Sequence, residues 1–145
     1  MNLNFPEYPL QIKSEKNKKW VFDPVRKKYV ILQPEEWVRQ VLIKHLEALN
    51  YPLARTSIER CLPGSKRRYD LVVFDRLGNP LLIAECKAPD VPIEEQSVDQ
   101  INAYLLHLPA PFALLTNGMH HYFVERTKDQ LLNYPQIPPF PTISA

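Results

Sequence analysis

The stretch RRYDLVVFDRLGNPLLIAECKAP, residues Arg67–Pro89, decides the fold of this chain. It reads as two apolar strands joined by a turn that contains glycine. Asp70 begins the first strand, and Glu85 and Lys87 end the second. Because side chains alternate along a strand, Glu85 and Lys87 share one face while Cys86 points to the other. If the two strands are neighbours, their charged residues make a site for a hard divalent cation and an activated water.

The flanking sequence predicts an α/β fold with a central mixed sheet flanked by helices. Apolar periodicity and turn residues indicate a core in the order α-β-β-β-α-β-β, preceded by a small N-terminal β arm. The predicted elements are short strands at Leu10–Lys13, Lys19–Phe22 and Lys28–Leu32, a helix at Pro34–Leu49, strands at Thr56–Leu62, Tyr69–Asp75 and Leu81–Lys87, a helix at Ile93–His107, and strands at Phe112–Thr116 and His120–Glu125.

The length of 145 residues suits one domain that folds unaided. Within it we expect an arm at residues 1–32, a main domain at residues 33–126 and a Pro-rich tail at residues 127–145, in which residues 134–145 are extended or polyproline II. No apolar run reaches the roughly 18 residues that a membrane helix needs, and the N terminus lacks a signal-peptide pattern. The predicted location is therefore the cytoplasm, with no membrane partner.

Cysteine and glycine usage excludes several classes of site. Cys61 and Cys86 are too few and too poorly spaced for a disulfide framework or a structural zinc site, so both are predicted to be small core residues. The chain has only three glycines and no Gly-x-x-x-x-Gly-Lys-[Ser/Thr] motif. This excludes a phosphate-cradling ATP loop of that type within the sequence.

Positive charge is concentrated at two places. Residues 1–30 hold seven basic and three acidic residues, a net charge of +4, whereas the remainder of the chain carries −2. Lys66, Arg67 and Arg68 form a second basic cluster. Clusters of this kind are either solvated surface or contacts to nucleic-acid phosphates, and the sequence leaves both interpretations open.

The Asp70 to Lys87 pattern resembles the split motif of the PD-(D/E)xK nuclease superfamily. In this chain Asp70 is followed fifteen residues later by Glu85-Cys86-Lys87, and Tyr69 stands where the family has Pro. The resemblance implies a restriction-endonuclease-like fold and divalent-metal-dependent hydrolysis of DNA phosphodiester bonds.

Two further motifs narrow this resemblance to one branch. Gln100 and Tyr104, four residues apart on a helix face, resemble the Gln-x-x-x-Tyr motif of the RecB-type and type I restriction branch. Glu36 resembles the acidic residue that the branch adds on its first helix. The nearest likeness is the N-terminal nuclease domain of type I restriction enzyme R subunits, over about Tyr29–Glu125. The stretches that carry it are PEEWVRQVLIKHLEALNYP, RRYDLVVFD, LLIAECKAP, VDQINAYLLHL and FALLTNGMHHYFVE.

The resemblance assigns roles to individual residues. Asp70 and Glu85 would bind Mg²⁺, or Mn²⁺ in its place, together with the main-chain carbonyl of Cys86, and Lys87 would assist the attacking water. The remaining assignments are Gln100 to orient Lys87 or a phosphate, Tyr104 to contact the DNA backbone, Glu36 as an outer acidic ligand or a helix N-terminal charge, and Lys66, Arg67 and Arg68 as nucleic-acid contacts.

The expected function is that of a Mg²⁺-dependent endodeoxyribonuclease resembling a type I R-subunit nuclease domain without its ATPase motor. Expected partners are DNA, restriction-modification subunits or a separate motor protein, and a second copy of the chain in a homodimer. One alternative is a non-catalytic DNA- or partner-binding module of a restriction-modification system. A weaker alternative is a repair or junction nuclease of the same superfamily.

Overall fold

The computed structural model describes residues 2–61, 68–107 and 110–140, with residues 100 and 103–107 described for the backbone alone. Two helices and nine strands are assigned in this part of the chain. They are β1 (Ile12–Glu15), β2 (Lys18–Asp23), β3 (Lys28–Ile31), α1 (Pro34–Ala48), β4 (Thr56–Cys61), β5 (Arg68–Phe74), β6 (Pro80–Cys86), α2 (Glu95–His107), β7 (Phe112–Thr116), β8 (His121–Arg126) and β9 (Leu131–Tyr134), with a short 3-10 turn at Leu53–Arg55.

The main sheet has six strands in the order β4-β5-β6-β7-β8-β9. The β6–β7 pair is parallel, because α2 crosses over between these strands, and all other pairs are antiparallel. Apolar residues of α1, among them Val38, Leu42 and Leu46, form one core cluster with the sheet, and Ile101 of α2 belongs to another. The predicted α/β fold with a central mixed sheet is confirmed.

The N-terminal strands form a separate antiparallel sheet in the order β1-β2-β3. An ion-pair chain ties this sheet to α1, since the Arg26 guanidinium contacts both the fully buried Asp23 and Glu36 at the start of the helix. Pro34 in the first turn suits the fixed φ that a helix start requires, and the acidic residues beside it suit the positive end of the helix dipole. The arm is therefore fixed next to the N terminus of α1.

The C-terminal part of the chain differs from the extended tail that the sequence predicted. Strand β9 pairs with β8, and Ile137 and Phe140 are buried in the core cluster that contains α1. Hydrogen bonds from the Phe140 backbone N–H to the Leu49 carbonyl and from the Tyr51 hydroxyl to the Pro138 carbonyl hold this segment. The sequence did not indicate that Ile137 and Phe140 are buried, because the prolines around them interrupt any apolar periodicity.

The two cysteines differ in environment. Cys86 is buried, as predicted, whereas Cys61 at the end of β4 is exposed, so its prediction as a core residue was wrong. Neither helix in the described part of the chain combines the length and apolarity needed to span a bilayer.

Residues 2–9, which we call the N-terminal strap, are joined to the rest of the protein by hydrogen bonds to two histidines, His45 and His121. The His121 Nε2 lies 2.8 Å from the Asn4 carbonyl oxygen and its Nδ1 lies 2.7 Å from the Thr116 hydroxyl oxygen. The Tyr8 hydroxyl lies 2.8 Å from His45 Nδ1. A neutral His121 that donates from Nε2 and accepts at Nδ1 satisfies both of its contacts.

Acidification should weaken this strap. Burial lowers the pKa of both His45 and His121. Below about pH 6.5 these histidines therefore bind more protons in the unfolded chain than in the folded chain. The free energy of unfolding should therefore fall as the pH drops from about 7.5 to about 5.5, and His121→Gln should flatten that slope. Urea unfolding across this range measures it, with the exposed His120→Gln as the control. An identical slope in the His121→Gln and wild-type proteins would contradict the assignment.

Candidate active site

Asp70 is fixed against the Glu85-Cys86-Lys87 segment by a backbone hydrogen bond. Strands β5 and β6 are antiparallel neighbours with Leu71 opposite Ala84, and one more residue along this register brings Asp70 opposite Glu85. The Cys86 backbone N–H donates to Asp70 Oδ2 at 2.7 Å. The predicted adjacency of the aspartate strand and the Glu-x-Lys strand is therefore present in the sheet.

The sheet is irregular at the position of Asp70. Simple alternation would place Tyr69 on the same face as Leu71, but Tyr69 packs in a different cluster, with Val72. On the neighbouring strand Glu59 has φ of +53°, a left-handed conformation that costs a non-glycine residue roughly 1–3 kcal/mol. Glu59 lies between the register pairs that flank Asp70. The distortion of β4 thus coincides with the point where Asp70 turns toward α1.

Arg39 of α1 is the centre of the charge cluster at this point. Its Nη2 lies 3.6 Å from Asp70 Oδ1, and its Nη1 lies 3.4 Å from Glu36 Oε1 and 3.7 Å from Glu59 Oε1. Arg39 is only 5% exposed, so these charges stabilise a cation that water does not screen well. The contact with Glu36 is a long hydrogen bond, the distances to Asp70 and Glu59 exceed the hydrogen-bond range, and the buried Nε finds no hydrogen-bond partner in the described structure. The guanidinium is enclosed by carboxylates without being tightly hydrogen-bonded to them.

Both carboxylate oxygens of Glu36 accept hydrogen bonds from side chains of α1 and of the N-terminal arm. Its Oε1 accepts hydrogen bonds from Arg26 Nη2 at 2.8 Å and from Arg39 Nη1, and its Oε2 accepts one from Gln40 Nε2 at 3.1 Å. These contacts link the arm to α1 and to Arg39. The predicted role of Glu36 as an outer metal ligand stays a prediction.

Glu35, one residue earlier, lies within electrostatic reach of Asp70 and Lys87. Partial burial, and then the negative charge of Asp70, raise the pKa of the Glu35 carboxyl, while the positive charges of Arg39 and Lys87 oppose the shift. Lys87 itself is exposed, and its backbone N–H donates to the Thr116 carbonyl at 2.8 Å. The N terminus of α1 therefore faces the end of β6 across the charge cluster.

The donor atoms fit a hard divalent cation in part. The side chain of Asp70 is 19% exposed and Glu85 is 8% exposed. Both supply carboxylate oxygens, which Mg²⁺ prefers. Burial, then the charge of Asp70, raise the pKa of the Cys86 thiol, so its sulfur stays protonated and its main-chain carbonyl is the better donor. In the described ranges no three His, Cys, Asp or Glu residues are grouped to hold a metal ion, so an ion here would rely on that carbonyl and on water.

The remaining predicted site residues are described incompletely. Gln100 and Tyr104 lie on α2, but their side chains are outside the described part of the chain. Lys66 and Arg67 also lie outside the described residues, and Arg68 is exposed at the first position of β5. Their predicted contacts with DNA and with Lys87 stay predictions.

Three charged residues of this cluster were not identified from the sequence as site residues: Glu35, Arg39 and Glu59. Glu35 and Arg39 stand four apart on α1, a spacing that places both side chains on one helix face. This spacing was a signal in the sequence that the two charges could belong to one site. The left-handed backbone of Glu59 had no signal in the sequence, since neither Gly nor Asn marks it.

Comparison with known protein families identifies the region that carries the site. The model of a family described as type I restriction enzyme R protein N terminus (HSDR_N) matches residues 34–141, which include all of the main sheet and both helices. No curated protein matches the chain.

Proposed function

The chain belongs to the family of type I restriction enzyme R protein N termini, and from this premise we propose that it is a divalent-metal-dependent nuclease of the PD-(D/E)xK type that hydrolyses phosphodiester bonds in DNA. Its family makes it a restriction-system module related to nucleases, with DNA as the implied substrate. One observation carries the finer proposal. The Asp70 carboxylate is hydrogen-bonded to the backbone of Cys86, between Glu85 and Lys87.

Asp70 and Glu85 would hold the cation, with the Cys86 main-chain carbonyl as a further donor. A bound Mg²⁺ would lower the pKa of a coordinated water and would neutralise charge that develops on the phosphate. Arg39 contacts Asp70 from the side of α1, so the guanidinium would orient this carboxylate before an ion arrives. The same residue would then compete with the ion for one oxygen of Asp70.

Lys87 would place its ammonium group against the scissile phosphate or the attacking water. Its side chain is exposed, so substrate can reach it without a rearrangement of the core. A lysine acts as a compact point charge on phosphate oxygens and stabilises the negative charge of the transition state. Glu35 would add a further carboxylate on the α1 side of the site, since it lies within electrostatic reach of Asp70 and Lys87.

The test is a cleavage assay with the purified full chain. Supercoiled plasmid and linear duplex are incubated with Mg²⁺, with Mn²⁺ or with EDTA. The proposal predicts nicked or degraded DNA with either metal and intact DNA with EDTA. Product formation that persists at the same rate in EDTA would contradict a metal-dependent reaction.

The non-catalytic alternative is favoured by one observation, the contact between Arg39 and Asp70. An arginine next to the aspartate places a positive charge where the metal of an active nuclease would bind. In this case the chain would bind DNA or restriction-modification subunits in EDTA, with an affinity that falls steeply with salt, and would give no product with any metal. The same preparations, assayed for binding and for cleavage, separate the two functions.

A further inference from the structure

The N-terminal sheet presents aromatic and basic side chains on one face. Its register pairs Lys13 with Trp20 and Phe22 with Tyr29. Since opposite residues share a face and neighbours along a strand alternate, these four side chains lie on the same side. Val21 points to the other side and is fully buried. Lys18 stands two residues before Trp20 on β2 and shares this side. We name the set Trp20, Phe22, Tyr29, Lys13 and Lys18 the aromatic face.

The rings of the aromatic face are ordered by their neighbours and remain partly exposed. Phe22 and Tyr29 meet edge to face, with 5.4 Å between ring centroids, and Lys13 Nζ lies 4.2 Å from the Tyr29 centroid. The Trp20 indole N–H donates to the Glu15 carbonyl at 3.3 Å. In the described structure, none of the three rings packs against the core clusters. The face is a preformed platform of rings that are partly open to solvent.

The charge around this platform suits a polyanion. Residues 1–30 carry a net charge of +4, although the remainder of the chain is negative. Exposed lysines that belong to no ion pair within the described ranges lie around the sheet. Lys18 is on the side of the rings, Lys16 and Lys27 are in the two turns, and alternation places Lys19 and Lys28 on the opposite side. Arg26 points inward to Asp23 and Glu36 and is therefore not part of this surface. Positive charge beside stacking rings complements a nucleic-acid backbone with accessible bases.

We propose that the aromatic face binds single-stranded DNA. Bases stack on protein rings only when they are released from pairing, whereas duplex DNA offers the face only its phosphates. The sheet lies outside residues 34–141, so the surface is an addition to the matched family region. Arg26 connects the sheet to Glu36 at the start of α1, the helix that carries Glu35. The sheet that carries the face is thus fixed to the helix that borders the candidate active site. The binding needs no metal and stands apart from the proposed cleavage.

The test is the affinity of the full chain for labelled oligonucleotides in EDTA, measured by fluorescence anisotropy. An oligo(dT) of about 15 nucleotides should bind more tightly than a duplex of the same length. Trp20→Ala should weaken the binding of the single strand about tenfold, and Trp20→Phe, which keeps a ring, should restore most of it. Replacing Lys16 and Lys18 together by Ala should reduce the salt dependence of binding.

Leu77→Ala provides a matched control, because Leu77 is an apolar residue with 87% exposure in the turn before β6. A second readout keeps the test valid if Trp20→Ala unfolds the sheet. In a Trp37→Phe protein Trp20 is the only tryptophan, and its fluorescence should be quenched by oligo(dT). Equal or tighter binding of duplex, or the absence of quenching at saturating oligonucleotide, would overturn the proposal. Such a result would leave the proposed nuclease activity untouched, because the plasmid cleavage assay tests that activity separately.

Discussion

Lys87→Met is expected to reduce Mg²⁺-dependent DNA cleavage by about 10²- to 10⁴-fold, the range for loss of a positioned group that stabilises charge or moves a proton in the transition state. Met matches the length of the lysine stem and removes only the ammonium. Because Lys87 is exposed and its hydrogen bond to Thr116 is made by the backbone N–H, the fold should be preserved. Initial rates of plasmid nicking measure the effect.

Lys128→Met is the control for this variant, since Lys128 is an exposed lysine in the turn between β8 and β9. Its cleavage rate should stay near that of the wild type. Asp70→Asn should lose activity to a similar extent as Lys87→Met, because the amide cannot supply the negative charge that the cation needs. Cleavage at the wild-type rate by both the Lys87 and Asp70 variants would exclude this site as the catalytic centre.

Arg39→Met is expected to lower the free energy of unfolding by about 3 kcal/mol, the lower end of what the removal of one partner from a buried ion pair costs. Without the guanidinium, the carboxylates of Glu36, Glu59 and Asp70 face one another with less compensation. Glu36 keeps Arg26 and Gln40, and Asp70 keeps the Cys86 N–H, so the loss should not exceed that range. Urea unfolding in EDTA measures it.

Arg76→Met is the matched control, because Arg76 is exposed in the turn between β5 and β6. A surface substitution of this kind should change stability by less than about 0.5 kcal/mol. If Arg39→Met were as stable as Arg76→Met, the long contacts around the guanidinium would contribute little, and Arg39 would not organise the site.

The strands that carry Asp70 and Glu85 were predictable because their apolar runs are bounded by turn residues on both sides. Their adjacency was the condition on which the predicted site depended, and a short turn between two strands favours it. The register itself then brought the aspartate to the Glu-x-Lys segment. The charge pattern in the sequence was therefore sufficient to propose which residues meet.

Other parts of the site depend on tertiary contacts that no local pattern reports. The conformation of Glu59 is imposed by its neighbours, because an isolated glutamate does not prefer positive φ. Arg39 looks like an ordinary surface residue of an amphipathic helix until Asp70 and Glu59 are placed against it. Strand β9 is four residues long and exposed at its centre, so its sequence carries too little apolar alternation for prediction.

The central claim is that Asp70 and Glu85 share one divalent cation at the end of β6. Anomalous diffraction from crystals of the protein soaked in Mn²⁺ tests it most directly. The account predicts a single strong peak between these two carboxylates, next to the main-chain carbonyl of Cys86, and loss of that peak in Asp70→Asn crystals. A peak elsewhere in the molecule, or none at a concentration that supports cleavage, would contradict it.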